Sequence, residues 1–302
     1  MADAFGHAPS MDALIDLQKR GSYEAARQYL GSATDSAGRQ LCIEVVARSV
    51  RDNDAVVRWT QDHPRDANAY VVAGVQETVI AWDKRSGVRA KYLSQKQIHG
   101  LARHLHIADE LFDRALELAP NDPNIHAGRI IADMGLNRPV EISMERFRIA
   151  RELDPTHWRA HRNLLMTSCE KWHGSHQLMF DIARSVDLAA PGAGNLASLI
   201  AEAHSECTLM DGESVTRAYW QSPEVARELG GAFDAGPGAP AFQADPLTPI
   251  ALNYLASALW MVRDRERLRQ AHEMLGKQCS ERAWLYNGGR KSFDESRKWS
   301  RK

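Results

Sequence analysis

The chain of 302 residues is 44% apolar and 25% charged, an ordinary globular composition that excludes wholesale disorder. With 38 Lys and Arg against 39 Asp and Glu, it lacks the global basic footprint that nucleic acid or an anionic membrane requires. No apolar run approaches the roughly 20 residues needed to cross a bilayer, so neither partner is expected.

The N-terminal stretch "MADAFGHAPS" has neither a basic region nor an apolar core, and no secretory signal is read there. Cys42, Cys169, Cys207 and Cys279 are scattered and form no CxxC pair, a pattern that predicts reduced, buried thiols and a cytoplasmic location. Helical periodicity recurs along nearly the whole chain, and no alternating strand pattern competes with it. "LQKRGSYEAARQYL" (17–30), with Gly21, Tyr23 and Ala26, reads as a turn and a helix. "DAVVRWTQDHPRDANAYVVAGV" (54–75) reads as the join between two helices, and "WDKRSGVRAKYLS" (82–94) as a stretched hairpin turn. Short breakers follow at "APNDPN" (119–124), "LDPTH" (153–157) and "AAPGAGN" (189–195). Proline there stops one helix and Asp or Asn caps the next, so the chain should fold into antiparallel hairpins.

A fixed period runs through the middle. In "LFDRALELAPNDPNIHA" (111–127), Phe112, Ala115, Leu118, Pro120 and His126 map onto Phe147, Ala150, Leu153, Pro155 and His161, each 35 residues further on. A looser copy, "MFDIARSVDLAAPG" (179–192), brings Phe180 and Ala183. Ala permits close approach of two helices, Phe fills the neighbouring hole, and Pro ends the second helix. Further on, Leu196, Leu199, Ile200, Ala203 and Cys207 form one apolar stripe, and Ala251, Leu255, Ala258, Leu259 and Val262 another. Between them "GGAFDAGPGAPAFQADPLTP" (230–249) reads as an irregular loop, either a lid or a linker. Two helices near 248–262 and 264–278 should make a capping hairpin, followed by the basic, frayed tail "GGRKSFDESRKWSRK" (288–302).

The period, with Ala and Phe at fixed offsets before Pro, resembles the tetratricopeptide repeat (TPR), most closely over 105–190. Ile130 and Leu165 stand where that repeat carries Gly or Ala. The resemblance implies an all-α, TPR-like right-handed solenoid of stacked antiparallel helical hairpins. With the composition read above, the expected organisation is 1–229 for the array, 230–249 for a Gly/Pro-rich loop, 250–287 for a capping hairpin and 288–302 for a flexible tail. The chain is also similar to a group of actinobacterial TPR-like proteins with a Trp-Gly-Gly-Ser element, read here as Trp172-His173-Gly174-Ser175. In that group an "F-A-R" helix and an "A-H-x-E" helix come next; this chain has Phe180-Asp181-Ile182-Ala183-Arg184 and Ala203-His204-Ser205-Glu206. No activity comes with that similarity.

"EKWHGSHQLMF" (170–180) gathers the densest unusual chemistry. As a turn, Gly174 would take φ > 0, Ser175 would cap the helix from His176, and Trp172 would anchor the hairpin. As a site, His173 and His176 straddle the turn and would share a metal with His204 or Glu206 of the next helix. His104 and His106 point about 200° apart on a helix and cannot chelate together. No HExxH, nucleotide loop or nucleophile elbow occurs, so neither a metal nor a cofactor is assigned. His126 and His161 share one register and read as half-buried histidines bonded to backbone carbonyls. The inner groove that TPR stacking implies would present Asn124, Ala127 and Ile131 in one unit and Arg159, Arg162 and Met166 in the next. Arg162 matches one position of the peptide-carboxylate clamp of chaperone-binding TPR domains, whereas Met166 stands where that clamp uses Asn. Arg159 and Arg162 would grip an acidic side chain or remain solvated.

Two functions follow as expectations. The first is a scaffold or adaptor that binds a protein or peptide in the groove through Arg159, Arg162, Met166, Trp172 and His173. The alternative is a small-molecule enzyme, with His176, His204 and Glu206 between the 170–176 turn and the 195–206 helix, covered by the 230–249 loop.

Overall fold

The computed structural model describes residues 23–32, 35–49, 53–88, 90–172, 174–209 and 212–302. Gly21 and the start of the 17–30 segment lie outside them. The described residues are helical with short connections and contain no strand. They divide at Gly174/Ser175 into two compact units.

In the unit before the division, eight α-helices follow in order: α1 (Glu24–Ser32), α2 (Ser36–Ser49), α3 (Asn53–Asp62), α4 (Ala67–Arg85), α5 (Gln95–Leu118), α6 (Pro123–Gly135), α7 (Val140–Leu153) and α8 (Trp158–Thr167). Their starts are written locally. Asp66 accepts the Asn68 N–H at 3.0 Å, Ser94 and Gln97 form a capping box, and Asp122 caps α6 with Pro123 in its first turn. Helices pack on the next and the next but one, with α2, α4, α6 and α8 in successive contact and α5 and α7 behind them. The repeat's Phe112 is fully buried in a slot between α4 and α6. A Cβ built on Gly74 or on Gly128 would come within 2.6 Å of its ring, so both glycines are needed for the knob to enter. Ala127, Ala150 and Ala160 likewise bring α6, α7 and α8 together, with Phe147 against them.

The second unit holds α9 (His176–Arg184), α10 (Ser198–Cys207), α11 (Glu213–Trp220), α12 (Pro223–Ala235), α13 (Thr248–Met261), α14 (Arg265–Leu275), α15 (Glu281–Trp284) and α16 (Gly289–Ser300). Leu196, Leu199, Ile200 and Ala203 are buried, as are Ala251, Leu255, Ala258 and Leu259, and α10 packs on α13. The irregular loop is shorter than its composition implies. Helix α12 runs to Ala235 through Gly230 and Gly231, because Phe233 is fully buried and tertiary packing outweighs their poor helix propensity. The remainder is pinned: Asp245 accepts the N–H groups of Leu247 at 2.7 Å and Thr248 at 3.0 Å, and the Phe242 ring lies where a Cβ on Gly194 would stand.

The expected frayed tail is a docked helix. Phe293, Ser296 and Ser300 of α16 are buried, and α16 packs on α14. The Ser296 hydroxyl donates to the Phe293 carbonyl at 2.9 Å and lies 2.8 Å from His272 Nε2. That commits the His272 Nε2–H to Ser296; burial pushes the pKa down to about 4 and so keeps the ring neutral. The three hydroxyl-sized and aromatic residues recur at i, i+3 and i+7, a stripe hidden by the polar composition around it.

Candidate functional site

The catalytic candidates lie in the second unit. His204 on α10 is buried and tightly partnered. Its Nδ1 is 2.6 Å from the Tyr219 hydroxyl of α11, and its Nε2 is 3.2 Å from Glu228 Oε2 of α12, off the line a good hydrogen bond needs. Phe180 meets the imidazole edge-to-face at 5.0 Å. Burial pushes the His204 pKa down, with the opposing pull of Glu228 too weak to restore it. The neutral ring with its proton on Nε2, facing the carboxylate, leaves Nδ1 to accept the tyrosine O–H. Glu228 is fixed in turn by Arg184, whose Nε and Nη2 donate at 2.7 and 2.9 Å and hold its carboxyl below the ordinary range.

At the other end, Cys207 Sγ lies 3.8 Å from His176 Nδ1, and the thiol also hydrogen-bonds with Tyr219. Burial, then Cys207, raises the Tyr219 pKa and keeps the phenol neutral. Ser175 caps α9 as expected, accepting the Leu178 N–H at 3.1 Å, and so sets His176 at the helix start. The result is a chain of polar groups, His176–Cys207–Tyr219–His204–Glu228–Arg184, across four helices. It places a half-buried thiol beside an imidazole. The carboxylate beside His204 is that of Glu228. Glu206 follows His204 by two positions on the same helix, about 200° around it. Among the described residues no group of three or more His, Cys, Asp or Glu has a metal-binding arrangement.

The binding candidates lie in the first unit. Arg159 and Arg162 are not solvated. Arg159 Nη1 is 3.2 Å from Glu44 Oε1, and its backbone N–H donates to Gln40 Oε1 at 3.0 Å. Arg162 is buried, and both guanidiniums lie over the Trp158 ring, at 5.4 and 5.7 Å from its centroid. The same helix α2 that supplies Gln40 and Glu44 also pairs Arg39 with Asp122, the cap of α6, and donates from Ser36 to Asp154 before α8. The first helix of the ladder thus reaches the fourth through side chains. The acidic group that Arg159 was expected to grip is present, and it is the chain's own.

Met166 is half-buried near the end of α8. Trp172 meets Trp82 edge-to-face at 5.3 Å and stacks under Arg85, which fits the expected anchor. His173 lies outside the described residues. Gly174 does not take φ > 0; a Cβ on it would stand 2.0 Å from the Ser168 carbonyl oxygen, so close backbone approach is what requires glycine. His161 donates to the Pro155 carbonyl at 2.9 Å as expected, but neither ring nitrogen of the buried His126 has a hydrogen-bond partner. A further buried histidine has a polar role in this unit. His157, fully buried, caps α8 by accepting the Ala160 N–H on Nδ1 at 3.1 Å and faces Asn124 Oδ1 at 3.2 Å through Nε2. Its signal was its place just before the helix, where Asp, Asn or Ser usually serves.

The chain matches no known family profile and no curated protein.

Proposed function

We propose that the chain is a protein- or peptide-binding scaffold built on a TPR-like helical repeat. The observation that carries this reading is the ladder of α2, α4, α6 and α8, each packed on the next, with Phe112 seated between Gly74 and Gly128. Stacked hairpins of this kind serve as extended recognition surfaces. The Arg159–Glu44 pair refines it: a partner that offers a carboxylate to Arg159 must displace Glu44. Selection from a displayed peptide library, run on the wild-type chain and on Glu44→Gln, tests the reading. Resynthesised peptides rich in Asp or Glu should bind both, and more tightly to Glu44→Gln. No reproducibly enriched sequence in either selection would refute it.

A second reading, small-molecule chemistry, rests on the Cys207–His176 pair and the polar chain behind it. Thiol–imidazole pairs are a recurrent source of nucleophiles.

A further inference from the structure

The docking of α16 gathers a basic and aromatic surface that sequence order alone keeps apart. Trp260, at the end of α13, and Trp299, at the end of α16, meet edge-to-face at 5.5 Å. Arg263 stacks 3.6 Å from the Trp260 centroid, and Arg265 lies 4.3 Å from that of Trp299. Both arginines are exposed, both indoles half-exposed. Arg297, Lys298, Arg301 and Lys302 lie within one helical turn of Trp299, and Arg297 and Arg301 are near enough to His272 of α14 to help depress its pKa.

None of these six cations has a carboxylate partner among the described residues. The contrast is with the same elements elsewhere: Arg290 and Lys291 pair with Asp294 and Glu295, Arg267 with Asp234 and Asp264, and Arg269 with Glu266 and Glu273. Arg263 has φ 61°, a left-handed conformation that a long side chain rarely adopts, and that turn sets its guanidinium over Trp260. A guanidinium stacked on an indole face leaves its in-plane N–H fork directed outward, pre-organised for a carboxylate.

We propose that this surface, Arg263 and Arg265 on Trp260 and Trp299 with the basic end of α16, binds a short acidic peptide segment of a partner protein. Charge complementarity favours that occupant over larger polyanions. Six uncompensated positive charges on a chain of formal net charge −1 leave −7 for the rest. A segment no longer than the patch meets only the positive charge, since charges beyond about 10 Å are screened at ordinary salt. A long nucleic acid or a lipid surface meets the negative remainder as well.

The test is fluorescence anisotropy of a labelled oligoglutamate peptide titrated with the full chain, at low and at physiological salt. Saturable binding that weakens with salt is expected, with a neutral oligoglutamine peptide not binding. The variant Arg263→Gly/Arg265→Ala separates recognition from folding, because glycine suits φ 61° and Arg265 is exposed. It should melt no lower than wild type yet bind the peptide about tenfold or more weakly. Arg290→Ala/Lys291→Ala, which removes cations already paired on α16, should bind like wild type. The proposal is overturned if oligoglutamate does not bind, if Arg263→Gly/Arg265→Ala binds it undiminished, or if single-stranded DNA or phosphatidylserine vesicles bind more tightly at equal charge.

Discussion

Two residues show how a single atom's surroundings decide its behaviour. Gly174 sits so close to the Ser168 carbonyl that even a methyl group has no room. Gly174→Ala should therefore destabilise the first unit by about 1–3 kcal/mol through backbone displacement, and the cost should be near that of Gly174→Val. A φ > 0 requirement would instead make the β-branched residue much the worse of the two, so comparing their urea midpoints distinguishes the causes. Cys207 is the other case. Cys42, Cys169 and Cys279 are buried, and burial pushes the thiols of Cys42 and Cys279 up to about 12 and about 11. Cys207 alone is partly open and faces an imidazole. A stoichiometric thiol reagent should modify Cys207 first, and His176→Ala should slow that reaction several-fold at neutral pH. Peptide mapping that finds the label spread over the four cysteines would remove the second functional reading.

At the scale of elements, the joint between α5, α6 and α7 is ionic as well as apolar. Asp133, fully buried, accepts from Arg138 at 2.7 Å and from Arg146, while Arg138 also reaches Asp109 at 2.6 Å and Arg129 reaches Asp109 at 2.7 Å. Burial pushes the Asp109 carboxyl up, but the Arg138 hydrogen bond and the Arg129 charge outweigh it and hold it low. Asp133→Ala would leave two guanidiniums without their shared acid and should cost about 3–5 kcal/mol in a denaturant melt; a loss under about 1 kcal/mol would mean water replaces the carboxylate. None of this was legible in the sequence, because the partners come from three helices and the connection between α6 and α7. What was legible was local: the Phe112 and Ala115 register, the breakers that end α5 and α7, and the Ser175 cap. Glu228 escaped notice for the same reason as Asp133, since α12 is brought to His204 only by packing. Composition misled where packing overrides it, at Gly230 and Gly231 inside α12 and at Ser296 and Ser300, whose small side chains are core residues of α16.

At the scale of the whole molecule, buried neutral histidines make both units sensitive to acid. His126, His157 and His161 in the first unit, and His204 and His272 in the second, all have pKa values pushed down by burial, to about 4 for His157 and His272. In the unfolded chain each returns to about 6.5. Between those values the unfolded state binds more protons than the folded one, so stability is full above about pH 6.5 and falls as pH drops toward 4. The depressed carboxylates of Asp109 and Glu228 act in the same direction at lower pH, once their ordinary range is passed. Asp245, raised by burial, works the other way, since protonation relieves its desolvation. One group against many does not reverse the sign. Urea unfolding from about pH 7.5 to about pH 4.5 should show a loss on the order of 3 kcal/mol for each of His157 and His272, appearing in the transitions of both units if they unfold separately. His272→Asn, whose amide can still donate to Ser296, should flatten the slope of the second unit and leave that of the first unchanged. A stability that stays level across that range in the wild-type chain would mean the rings titrate in the fold as they do in the unfolded chain, and the neutral forms assigned to His157, His204 and His272 below about pH 6.5 would have to be abandoned.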